Sequence, residues 1–258
     1  MEKDELNQRK EDILTIVIQF YITTGTPVAS RLISDTYNLS LSPATIRNEM
    51  SELEEMGYLG HPYTSAGRIP TDQGYRYYVD RLMRVKDMTK KEINRIEKQY
   101  IDHQNGLEEI AVLEETITGI SQALSELTNY TAVSLFPGFK DCRAGHEKRL
   151  YLEGIWHILN YPEFHDFDVI KRMFETFEKK YQILDVLNED IEQEGIQIHI
   201  GSENKYCELQ NCSLVTSRYS KGDQVIGSLG IIGPVRMDYE RVVGMVGFLA
   251  EVMTGILS

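Results

Sequence analysis

Cysteine is scarce in this chain: Cys142, Cys207 and Cys212 are the whole complement. Three is odd and too few for a disulfide framework, which points to a reducing compartment. Cys207 and Cys212 flank a four-residue gap that resembles a metal knuckle only loosely, with no second Cys or His pair nearby at ligand spacing, and they read as small core residues. The six histidines, His61, His103, His146, His157, His165 and His199, form no HExxH or HxH unit. Long apolar runs are missing too. No stretch of roughly 18 residues could span a bilayer, and the opening MEKDELNQRKED is too polar for the core of a secretory signal. The expected location is therefore the cytoplasm, with no membrane segment. No nucleophile–base set, metal cluster or framed pair of carboxylates occurs, and Glu153, Glu163 and Asp166 read as solvated charges or helix caps. Neither an enzyme nor a cofactor or metal site is expected.

Basic charge is also short, with 27 Lys and Arg against 40 Asp and Glu, a net charge of -13. That excludes a protein which coats nucleic acid by bulk positive charge. It leaves room for a local site, because residues 1–86 hold ten basic and twelve acidic residues, so the other -11 lies downstream. The acidic remainder restricts approach of DNA to one face and makes binding steeply salt-dependent.

What is present is a chain of 258 residues, 41% hydrophobic and 26% charged, sufficient for two cored domains. Leu6, Ile13, Leu14, Val17, Ile18 and Tyr21 recur at helical spacing and predict a helix over 5–24, stopped by Gly25 and Pro27. A short helix follows within VASRLISDTY, with Val28, Leu32 and Ile33 as its apolar face. Asn38-Leu39-Ser40-Leu41 turns the chain. Ser42 then supplies an N-cap and Pro43 a first helical residue, opening a third helix. Its buried stripe is Ile46, Met50 and Leu53, and Gly57 closes it. Residues 58–63 and 68–71 read as a two-stranded ribbon with a small tip at 64–67, and Thr71 caps a fourth helix through Tyr75, Tyr78, Val79 and Leu82. Helix, helix, helix, ribbon is a winged helix-turn-helix, assigned to 1–86.

From 89 to 130 apolar residues recur in steps of three and four, Ile93 to Leu127 with Gly106 between, which predicts long helices packed on the body of the protein, with a partner helix in a dimer as the sharper reading. Thr131 to Phe136 is a strand-like run ended by Pro137-Gly138. Residues 166–188 read as one helix with Ile170, Phe174, Phe177 and Leu184 in its stripe. Strands follow at 196–200, 213–219 and 224–232, and Asp238 opens a last helix. The second domain, 87–258, is mixed, so the fold class is α+β.

In a helix-turn-helix the first residues of the second helix of the motif enter the major groove, where Arg pairs with guanine and Asn with adenine. That helix begins at Ser42. Thr45, Arg47 and Asn48 lie on its outward side, and the Ser42 cap with its free amides suits phosphate. Arg31 in the preceding helix and Arg68 at the wing are placed for phosphate or minor groove, and Arg76 is a further contact. Against this, Arg31 and Arg76 have local acids within reach in Asp35, Asp72 and Asp80. The case for local pairing is weaker for Arg68, which Gly67 and Pro70 hold on a ribbon.

Residues 42–79, SPATIRNEMSELEEMGYLGHPYTSAGRIPTDQGYRYYV, with TTGTPVASRLIS before them, resemble the signature stretch of the HrcA heat-shock repressor family. So do Leu152-Glu153-Gly154, Asn160-Tyr161-Pro162-Glu163-Phe164, Ile200-Gly201-Ser202-Glu203-Asn204 and Gly230 to Tyr239 near the other end. The resemblance implies a homodimer that represses chaperone operons by binding an inverted-repeat double-stranded DNA operator (CIRCE), with a chaperonin maintaining its active form. It also implies a GAF-like second domain, here truncated, because the chain runs almost directly from Leu135-Phe136-Pro137 to Tyr151-Leu152-Glu153-Gly154 where family members carry several dozen more residues.

Two alternatives stand beside this reading. One is a ligand-responsive DNA-binding regulator, for which the glycines of Gly227 to Gly233 suggest a phosphate loop. No Lys-Ser/Thr follows, and glycines in an apolar strand-like run are better explained by bulges or turns. The other is a degenerate protein-interaction module without operator binding.

Overall fold

The computed structural model of the chain describes every residue except 1–5, 38–40, 64–65, 99–108, 137–148 and 258, and all but the side chains of 109–113 in the remainder. The Asn38–Ser40 turn, the Thr64-Ser65 tip, Gly106, Pro137-Gly138, Cys142, His103 and His146 lie outside the described residues. Two compact units emerge, one of Met1–Arg84 with Arg236–Tyr239, the other of Val85–Val235 with Glu240–Ser258.

In the first unit helix α1 spans Gln8–Thr24. Asn7 fixes its start, its side-chain oxygen accepting from the Lys10 amide at 3.0 Å, and Gly25 at φ 65° ends it with an N–H to Tyr21 O. Helix α2 is short, Ser30–Thr36, and Val28 is not on its face as expected. Val28 instead exchanges two backbone hydrogen bonds of 2.8 Å with Arg68. Helix α3, Pro43–Glu55, opens with Ser42 Oγ accepting from Thr45 N at 3.1 Å and Pro43 at its first turn. Ile46, Met50 and Leu53 face the core, beside Ile13, Leu14, Val17, Ile18 and Ile33. Each such fully buried aliphatic contributes about 1.5–3 kcal/mol.

Strands β1, Leu59–Gly60, and β2, Ile69–Pro70, pair antiparallel as the wing, which the Val28 bridge ties to the segment before α2. Gly67 is required there: a Cβ would sit 2.5 Å from Val28 O and 2.6 Å from its carbonyl carbon. Thr71 caps α4, Asp72–Tyr77, through Gly74 N at 3.1 Å and donates to Gly57 O at 2.6 Å, tying helix start to wing base. The chain continues as a π-turn, Tyr78–Leu82.

The second unit begins with α5, Lys90–Ile96, held by a capping box between Thr89 and Glu92, and α6, Glu109–Thr128. Its centre is an antiparallel sheet in the order β4-β3-β7-β6-β5, formed by β3 Thr131–Phe136, β4 Arg149–Glu153, β5 Ile196–Ile200, β6 Cys212–Lys221 and β7 Gln224–Pro234. One face meets α7, Phe167–Lys179, and α8, Tyr181–Ile191, around Val133, Leu135, Phe177, Ile183, Leu187, Leu214 and Ile232. The other face carries α6, where Ser121 Oγ and Ser134 Oγ lie 2.6 Å apart, and α9, Tyr239–Leu257, whose Thr254 Oγ1 accepts from Ser220 N. Covered on both sides, β3 is buried at all six positions, which is why it reads as a continuous apolar run.

Three expectations need correction. The single helix over 166–188 is two helices, because Lys180 takes a left-handed φ of 60° and redirects the chain. The break lets Ile183, Val186, Leu187 and Ile191 pack on the sheet while Phe174 is left 42% exposed. A strand at 149–153 is not anticipated at all; among the described residues β4 is an edge paired only to β3, and it carries no full alternation. Of the described cysteines Cys212 is buried as expected, but Cys207 is exposed. The glycines of Gly227 to Gly233 lie inside β7, and a Cβ on Gly230 would stand 2.3 Å from Val215 O, so close strand packing accounts for it.

Candidate nucleic-acid interface

Helix α3 is amphipathic in three sectors rather than two. At 100° per residue, Ile46, Glu49, Met50 and Leu53 form the inward sector, and Thr45, Asn48 and Glu52 lie to one side of it. Arg47, Ser51 and Glu54 lie to the other. Ser42, Arg47 and Asn48 are exposed and Thr45 is half-buried. The Ser42 hydroxyl also lies 2.9 Å from Thr45 Oγ1, so the cap and the first outward side chain share one polar group. Among the described residues Arg47 has no acid partner.

The other three arginines in the expected set are all paired within their unit. Arg31 Nε lies 3.7 Å from Asp35 with 87% of the side chain exposed, which is a loose surface pair. Arg76 Nη1 meets Asp80 at 3.1 Å one turn on. Arg68 reverses the expected ranking, because its local pairing is the tightest: Nη2 lies 2.6 Å from Glu54 Oε2, the two side chains being 23% and 24% exposed. Glu54 Oε1 also holds His61 Nδ1. One carboxylate at the end of α3 thus grips both sides of the wing.

Sequence reasoning missed Glu54 and His61. A signal existed: an acid in the last turn of a helix opposes the helix dipole, so it needs cations from elsewhere. A second ionic group fixes α3 from behind, where Lys10 Nζ bridges Glu49 at 3.1 Å and Glu52 at 2.8 Å, and Arg9 adds a 3.2 Å contact to Glu49. Burial works against charge on Glu49, but Lys10 and Arg9 outweigh it and hold the carboxyl below its ordinary range. Glu52, then Glu49, push the Lys10 ammonium above its ordinary range.

A three-helix core with a pinned wing and an outward helix end bearing Thr45, Arg47 and Asn48 defines a DNA-binding protein of the winged helix-turn-helix class. Residues 5–81 match the winged helix-turn-helix transcription repressor, HrcA DNA-binding family, and residues 139–243 match the HrcA protein C-terminal domain. The heat-inducible transcription repressor HrcA of Desulforamulus reducens is 32% identical over 98% of both chains, and that of Geobacter sulfurreducens is 31% identical over 98% of this chain and 99% of its own. The chain belongs to the HrcA family of transcription repressors, which are not enzymes, and its second unit carries the family's GAF-like C-terminal domain. Alignment to the first relative runs over 345 positions against 258 residues here, so a substantial part of that relative has no counterpart. A crystal structure described as a hypothetical protein at 2.2 Å resolution shares the fold, with a TM-score of 0.76 at 18% identity over 98% of this chain and 99% of its own. Among the described residues no helix is long and apolar enough to cross a membrane, and no cluster of His, Cys, Asp or Glu is arranged to hold a metal ion.

Proposed function

We propose that this protein represses heat-shock chaperone operons in the cytoplasm by binding, as a homodimer, an inverted-repeat operator of the CIRCE type. Residues 1–86 are its reader and 87–258 its regulatory and dimerisation part. The observation that carries the reading is α3, whose N-terminal turn presents Thr45, Arg47 and Asn48 outward from a frame locked by Lys10 behind and Glu54 beside it. Thr45 and Asn48 face base edges, Ser42 and its neighbouring amides face phosphate, and Arg31 flanks them. Arg68 and Arg76 act through the frame, held by Glu54 and Asp80. A chaperonin keeps the repressor active by rescuing its misfolded form.

The test is fluorescence anisotropy of a labelled inverted repeat, a single half-site and a scrambled duplex at one physiological salt concentration. Tight binding to the full repeat alone is expected, because a two-fold dimer needs paired half-sites. Equal, weak binding to all three defeats the reading. Adding chaperonin to heat-inactivated protein should restore the operator complex, and no recovery removes that partner.

A second reading draws on a cavity of about 580 Å³ in the second unit, walled by Leu150, Leu152, Ile155, Phe174 and Phe177 and also by Tyr151, Glu178 and Lys180. A small ligand with an apolar body and a polar group there would make the repressor ligand-responsive, and a compound raising the melting temperature while changing operator affinity would establish it.

A further inference from the structure

Between α3 and the wing lies a cleft of about 320 Å³. Arg47 and Ser51 line it from α3, Ser30 from the start of α2, and Gly67 and Arg68 from the wing. Among the described residues none that lines it is acidic. The Arg68 charge is already neutralised by Glu54 and its backbone N–H is spent on Val28 O, although its buried Nε has no partner among the described residues, so the uncompensated charge of the cleft is that of Arg47. Among the described residues the hydroxyls of Ser30 and Ser51 have no hydrogen-bond partner.

We propose that this cleft seats one phosphodiester of the operator backbone in each half-site, with Arg47, Ser30 and Ser51 as its donors. The inference deepens the operator-binding reading and rests on it. The cleft offers a guanidinium and two hydroxyls, and phosphodiester oxygens only accept, so donor and acceptor inventories match. Helical phase adds an independent argument. Arg47 shares its sector with Ser51, one turn on, and not with Thr45 and Asn48. The side chain that by type alone suggests guanine recognition is therefore a backbone clamp, and base reading falls to Thr45 and Asn48. Ser30 and Ser51 become DNA contacts that sequence reasoning did not name.

The experiment uses the full chain and a set of operator duplexes, each with one phosphate replaced by a neutral methylphosphonate. For wild type, one position per half-site should cost about 10-fold in affinity. Arg47→Gln should lose about the same factor on operator and on random duplex, lower the salt slope by about 0.9 per half-site, and be indifferent to that methylphosphonate. Ser51→Ala and Ser30→Ala should each lose about 2- to 10-fold and show reduced sensitivity at the same phosphate. Arg47→Gln losing affinity for operator alone, with an unchanged salt slope, overturns the proposal and restores Arg47 as a base reader. Undiminished methylphosphonate sensitivity in all three variants also overturns it. Inorganic phosphate separates the two sources of the same chemistry: competition with random duplex for wild type but not for Arg47→Gln supports the seat, whereas saturation without competition makes it a free-anion site and overturns the DNA assignment. Should wild type bind repeat and scrambled duplex equally, the operator reading fails, while the salt slopes on random duplex still decide the cleft.

Discussion

Replacing Glu54 by Gln keeps the shape of the side chain and removes the charge that joins α3 to the wing. Two unit charges about 4 Å apart attract by about 4 kcal/mol at an effective dielectric near 20. Glu54 and Arg68 are about three-quarters enclosed and 2.6 Å apart, so desolvation and side-chain ordering return much of that, leaving about 1–2 kcal/mol. A thermal double-mutant cycle of Glu54→Gln, Arg68→Gln and the pair should therefore be non-additive by that amount, against a background of about 0.3–0.5 kcal/mol for uncoupled sites. For a unit of this size the loss lowers the melting temperature by roughly 4–8 °C per kcal/mol. Hydrogen exchange gives the local readout. The Val28 and Arg68 amides, paired with each other across the bridge, should exchange faster in Glu54→Gln, while amides of α1 stay protected. DNA binding adds a third, because a strut lost from Arg68 weakens binding without changing the salt slope, whereas a lost phosphate contact lowers it. Additive melting energies together with unchanged exchange at the bridge would refute the argument that Glu54 pins the wing.

Gly67→Ala should cost about 1–3 kcal/mol and abolish protection at Val28 and Arg68, because the added carbon meets backbone that cannot swing aside; a normal exchange pattern contradicts it. Asp190→Ala should destabilise the second unit by about 3 kcal/mol in denaturant titration, since its buried carboxylate accepts from His199 Nε2 at 2.8 Å and from Thr216 Oγ1 at 2.6 Å, and truncation orphans the fully buried Thr216 hydroxyl. His157 is buried with Nδ1 unpartnered, and burial holds its pKa below the ordinary 6.5. The unfolded chain therefore takes up the proton first as pH falls, so this group's contribution is intact above that value and is lost through the depressed one. Melting temperature should drop on acidification below 6.5, and His157→Leu should flatten that slope; an unaltered slope counts against it.

The local features of the reader were legible because they depend on residues close in sequence. Asn7, Ser42 and Thr71 each satisfy the amide three residues on, and Ile46, Met50 and Leu53 select the buried face of α3 by period alone. Strands β3 and β7 showed through as apolar runs because both sheet faces are covered. The edge strand β4 and the break at Lys180 did not, since an edge lacks a full pattern and a left-handed lysine is imposed by packing rather than propensity. Recognising the family needed only the strings of residues.

What only the tertiary structure decided is which charges meet. Asp35 and Asp80 lie one turn from Arg31 and Arg76, so those pairs could be foreseen. Glu54 reaches Arg68 across fourteen residues and a wing, and Ser30, Arg47 and Arg68 converge on one cleft from three segments. A side chain's period tells which way it points from its own helix. Whether it meets an acid, a cleft or open solvent depends on chain that returns from elsewhere, and that return is set by the collapse of the whole core.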